Sequence, residues 1–176
     1  MRELLNTTVV NNISYISWVE IENDKAIIKF FNEKDNLECG KIEFAYHEPT
    51  STLGIAYVNC SCGKLIKGTC FKNLVLLMIM YVLDETIRNP LFKHVTLDTV
   101  IELFVAPDAT DSDVALHKLQ KNYSKIGFSI DEHDKLLMNS TIHNVLNTIE
   151  KTMEGGKTAK RKSKMNRKRK TNKQRT

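Results

Sequence analysis

Leu53-Gly54-Ile55-Ala56-Tyr57-Val58-Asn59-Cys60 is an apolar run, and the turn Ser61-Cys62-Gly63-Lys64-Leu65-Ile66-Lys67-Gly68-Thr69-Cys70 carries it into a second one. That second run starts near Phe71 and includes ten consecutive apolar residues, Leu74 to Leu83. The first run has strand length, and the second is long enough for a helix, expected over 71–88 with Thr69 as N-cap. Asn89-Pro90 sets the far limit, because the residue before proline avoids the α region. Strand, glycine-bearing turn and helix together aim free backbone N–H groups and a positive helix end at an anion. Lys64 and Lys67 add charge beside those amides. An ordinary strand-to-helix connection would use the same residue types, since Gly and Lys are common in turns.

Working outward, the segments before residue 53 read as a β meander. Loose alternation over Ile13 to Ile21, then Ala26 to Phe31 and Glu38 to Tyr46, gives three strands separated by Asn23-Asp24 and by the polar loop 32–36. No helical periodicity lies between the first two of these strands. Beyond the central helix, a strand is expected over 95–105. A helix follows over 112–126, capped by Asp111 or Ser112, with the stripe Ala115, Leu119, Tyr123 and Ile126. Gly127 stands where a helix ends with positive φ. A short hairpin over 128–130 and 136–139 and an amphipathic helix from Ile142 to Met153 complete the folded part, and Gly155-Gly156 stops it.

Read as an ordered set, the strand, the turn Leu65-Ile66-Lys67-Gly68-Thr69-Cys70, the helix, the strand and the helix closing Asn122-Tyr123-Ser124-Lys125-Ile126-Gly127-Phe128 resemble the GNAT superfamily of N-acetyltransferases. The likeness spans roughly residues 51–139. Leu65 and Cys70 stand where the family turn has Gln or Arg and Gly or Ala. The resemblance implies a GNAT-like mixed α/β domain over residues 1–154, with a mostly antiparallel sheet splayed between strands 53–60 and 95–105. It also implies acetyl-CoA as co-substrate and an amine as acceptor. The amides of Ile66, Lys67, Gly68, Thr69 and Cys70, with Lys64, would hold the pyrophosphate. The backbone edge of Val58, Asn59 and Cys60 would pair with the pantetheine arm. Tyr123 would protonate the leaving thiolate, a step suited to a phenol of pKa near ~10; a core tyrosine completing the helix stripe would sit at the same spacing. Glu43, His47 and Glu48 are the nearest general-base candidates by strand order. The family usually places two acceptor-shaping helices after its first strand, and this sequence has no pattern for them. The alternative is therefore a GNAT-fold module without catalysis whose basic tail binds nucleic acid.

Charge divides the chain. Of its 26 Lys and Arg, 11 fall within residues 157–176, which hold no acid, so residues 1–156 keep 15 basic against 21 acidic groups, a net of −6. A stretch of that composition cannot build a core, and residues 155–176 read as a disordered basic tail. Its charge density suits non-specific contact with phosphate backbones or nuclear import. An acidic domain with such a tail resembles, in composition, proteins encoded by large DNA viruses. The ten-residue apolar run is too short to span a bilayer, which takes about 20 residues. With no signal-type segment, the expected location is intracellular, in the cytoplasm or nucleus of a host cell or in a virion. Cys39, Cys60, Cys62 and Cys70 are accordingly expected as reduced, buried thiols, and their spacing suggests no metal site.

Overall fold

A computed structural model describes residues 2–10, 13–61, 70–86, 89–105 and 113–152. It contains one eight-stranded sheet: β1 (Arg2–Val10), β2 (Ile13–Glu22), β3 (Lys25–Asn32), β4 (Leu37–His47), β5 (Thr52–Cys60), β6 (Val100–Phe104), β7 (Ser129–Ile130) and β8 (Leu137–Thr141). Helix α1 (Cys70–Leu83) follows β5, α2 (Asp113–Ser124) follows β6, and α3 (142–152) follows β8. The strand order is β1-β2-β3-β4-β5-β6-β8-β7. Every neighbouring pair is antiparallel except β5 with β6, which the α1 crossover makes parallel. This is the mixed, mostly antiparallel α/β architecture expected from the sequence.

One face of the sheet holds the core. Tyr15 and Val19, Ala26, Ile28 and Phe30, Ile42 and Phe44, Leu53 and Ile55, Ile101 and Leu103, and Met138 are all buried. Against them α1 sets Leu74, Val75, Leu77, Met78, Ile79, Tyr81 and Val82. Burying a side chain of this kind contributes roughly 1.5–3 kcal/mol. Phe44, Tyr81 and Phe92 form a ring cluster, with centroids 5.5 Å apart for Phe44–Phe92 and 5.9 Å for Tyr81–Phe92. Phe92 comes from the 3-10 turn Pro90–Phe92, so the cluster seats the chain after α1 onto β4. The other face is more exposed and bears charge, with Lys29 paired to Glu20 and Lys41 to Glu43.

Three boundaries differ from the sequence reading. Helix α1 stops at Leu83, not near 88. There Asp84 turns the chain, its carboxylate accepting from both the amide (2.9 Å) and the hydroxyl (2.6 Å) of Thr86. Such a side-chain turn competes with helix continuation. The expected strand 95–105 is extended only over Val100–Phe104. The preceding residues instead cap α3, since Thr99 O accepts from Ile142 N–H and Leu97 O from His143 N–H. Third, β1 is an additional edge strand outside the predicted meander. No helix separates the described strands from β1 to β5, as the missing periodicity implied.

The cleft where β5 and β6 part

Strands β5 and β6 pair only from Thr52–Val100 to Ile55–Leu103. Beyond that register β6 continues beside β8, while β5 runs on to Cys60 held by β4 alone among the described strands. The backbone edge of Ala56 to Cys60 that points away from β4 therefore carries no described strand. The divergence coincides with a bulge: Phe44 faces Ile55 and Glu43 faces Tyr57, leaving Ala56 as the extra residue. A bulge shifts side-chain phase by one. Leu53 and Ile55 point to the core before it, and Val58 and Cys60 after it, while Tyr57 and Asn59 are exposed.

At this parting lies a cleft of about 590 Å³. Val58 and Cys60 supply one wall and Phe71 and Lys72 of α1 another. Leu119, Asn122 and Tyr123 of α2, with Lys125 and Ile126 just after it, close the third side, and Thr152 of α3 lies at the rim. The volume suits a small-molecule site. Among the described residues two lysines and no carboxylate line it, and these favour an anion.

Tyr123 is half-buried there, its ring 4.6 Å from that of Phe71. Burial raises its phenol above the usual pKa of 10.0, so the hydroxyl stays protonated at neutral pH. The position of the ring is fixed by the end of α2. Phe128 N–H donates to Tyr123 O and Gly127 N–H to Ser124 O, the paired bonds of a glycine-closed helix terminus. Gly127 has φ +99°, and a Cβ there would lie 3.0 Å from Thr148 Oγ1. Its carbonyl accepts from Ser140 Oγ at 2.7 Å and Asn144 Nδ2 at 2.8 Å, tying the helix end to β8 and α3.

Three of the four cysteines correct the expectation of reduced thiols, and Cys62 lies outside the described residues. Cys60 and Cys70 form a disulfide across a sequence separation of ten, with their Cα atoms 6.1 Å apart, and Cys39 is also disulfide-bonded. The sequence shows no CxxC spacing, but the end of β5 and the start of α1 lie within bridging distance. Gly40 makes room for the bridge: a Cβ at that position would lie 2.7 Å from Cys70 Sγ.

Of the residues singled out in the sequence, Val58, Cys60 and Tyr123 line the cleft. Cys70 is buried at its edge, and the side chain of Asn59 lies on the opposite sheet face. Lys64, Ile66, Lys67, Gly68 and Thr69 lie outside the described residues, as do the tail 157–176 and the cap candidates Asp111 and Ser112. The base candidates do not meet Tyr123 in the cleft. Glu43 pairs with Lys41 at 2.7 Å, and Glu48 lies 3.6 Å from His94 beside a depression at the other end of β5. The His47 ring packs beside Gly54. Sequence reasoning missed Phe71, Lys72, Asn122 and Lys125 as cleft residues. Their nearness to the turn and to Tyr123 was the available signal.

No protein-family model matches this chain, and no curated protein matches its sequence. Among solved structures, that of nourseothricin acetyltransferase is similar with a TM-score of 0.43 and 12% identity, covering 80% of this chain and 87% of that one. A TM-score of that size does not establish a shared fold. No helix of the described residues is long and apolar enough to cross a membrane.

Proposed function

We propose that this protein is an acyl-CoA-dependent N-acyltransferase, transferring an acetyl group from acetyl-CoA to an amine. The observation that carries the reading is the cleft itself. A protonated tyrosine, a strand edge that no described strand covers and two lysines converge where a parallel strand pair parts.

On this reading the pantetheine amides bond the backbone edge of Val58, Asn59 and Cys60, as a peptide adds to a sheet edge. The cofactor phosphates lie toward Lys72 and the positive end of α1, with Lys64 and the amides from Ile66 to Cys70 completing their site. The amine nitrogen attacks the thioester carbonyl and the C–S bond breaks. Tyr123 Oη gives its proton to the departing sulfur, and the amine proton leaves to solvent. The test is chromatographic: CoA release from acetyl-CoA is followed across a panel of primary amines, with Tyr123→Phe as comparison. Amine-dependent release that Tyr123→Phe slows is the expected result. Release unchanged by that variant removes Tyr123 from the chemistry.

A second reading has its own observation. The strands from β1 to β5 follow one another as hairpins, without the helices that shape acceptor pockets in the family. A non-catalytic module is its consequence, with residues 157–176 binding nucleic acid through charge. The two readings separate on whether acetyl-CoA binds.

A further inference from the structure

The Cys60–Cys70 bridge is placed unevenly. Cys60 lines the cleft, whereas Cys70 is 1% exposed and lies behind it. A thiolate attacks a disulfide along the S–S axis, so a nucleophile entering the cleft meets Cys60 Sγ and expels Cys70 Sγ. The expelled sulfur is well served. Cys70 is the first residue of α1, where the helix dipole stabilises a thiolate. Once protonated, it has the carbonyl of Cys39 as an acceptor at 3.8 Å. Lys72 and Lys125 give the cleft positive charge, and no carboxylate stands among the described residues of its lining.

We propose that Cys60 is a site of reversible S-thiolation by a small anionic thiol, with Cys70 as leaving and resolving group. In the forward step the incoming thiolate forms a bond to Cys60 Sγ. The Cys60–Cys70 bond breaks, and Cys70 departs with the electron pair as thiolate. In reverse, Cys70 attacks Cys60 Sγ, closes the bridge and expels the small thiol. No further oxidant or reductant enters either step. Coenzyme A and glutathione share the required chemistry, and only the coenzyme A arm rests on the acyl-CoA reading.

The test uses the wild-type full chain in its bridged form. It is incubated separately with free coenzyme A, glutathione and cationic cysteamine at equal thiolate concentration, then quenched with an alkylating agent. Peptide mapping locates the adduct and the alkylated partner. The expected product carries the small thiol on Cys60 and the alkyl group on Cys70. It should form about tenfold faster with the anionic thiols than with cysteamine, an advantage that falls with added salt and in the Lys72→Ala variant. An adduct on Cys70, an adduct confined to other cysteines, no adduct, or equal rates for all three thiols would each overturn the proposal. Coenzyme A reacting well ahead of glutathione makes it the preferred source; comparable rates assign the site to anionic thiols in general. If calorimetry shows no acetyl-CoA binding while glutathione still modifies Cys60, the acyl-CoA reading alone fails. If acetyl-CoA binds and Cys60 stays unmodified by every thiol, the thiolation proposal alone fails.

Discussion

Tyr123 is held by its neighbours more than by its own bonds. The ring contacts Phe71, and its carbonyl receives the N–H groups of Ile126 and Phe128. Tyr123→Phe keeps the ring and removes the proton, so kcat should fall by about 10²-fold while acetyl-CoA affinity changes little. Stopped turnover at saturating acetyl-CoA measures it. The pH dependence has a definite sign. Because burial raises the phenol above its unfolded value, its contribution to stability is complete below about pH 10 and is lost as pH rises through the folded pKa. The wild-type melting temperature should therefore drop more steeply above pH ~10 than that of Tyr123→Phe. Gly127 offers a second handle. With φ at +99° and Thr148 Oγ1 3.0 Å from a Cβ, Gly127→Ala should cost about 1–3 kcal/mol by chemical denaturation.

Strand β5 is where element-scale reading succeeds and then stops. Leu53 to Cys60 reads as a strand because its largely apolar content has no strongly polar residue before Asn59. That same continuity hides the bulge at Ala56, since nothing in the apolar residues on either side of it, Ile55 and Tyr57-Val58, marks a change of phase. The side chains that face the cleft could not be told from those that face away. Helix α1 was legible from its all-round hydrophobicity and its end was not, because Asp84 and Thr86 turn the chain before Pro90 can. The bridge was illegible for another reason: pairing Cys60 with Cys70 requires knowing that the end of β5 and the start of α1 lie side by side. In β2, Ser17 sits in the core row between Tyr15 and Val19, and its hydroxyl has no hydrogen-bond partner among the described residues. Ser17→Ala removes that buried hydroxyl and should stabilise the fold by about 1 kcal/mol in urea unfolding. A loss of stability would mean the hydroxyl is satisfied in solution.

At the scale of the whole molecule, charge is divided along the sequence. Residues 1–156 carry a net −6 and the following twenty hold 11 Lys and Arg. If the tail binds nucleic acid, replacing those eleven with Gln should abolish a gel shift on duplex DNA. For the wild type, log K should fall with log salt at about −0.9 per phosphate contacted. Binding that survives the replacement would place the interface on the acidic domain. The central claim concerns the cleft, and it is tested most directly by calorimetric titration of the wild-type protein with acetyl-CoA. Saturable binding is predicted at one site per chain, retained in Tyr123→Phe and weakened in Lys72→Ala. No heat at millimolar acetyl-CoA, at two temperatures so that a zero-enthalpy crossing is not mistaken for absence, would contradict it.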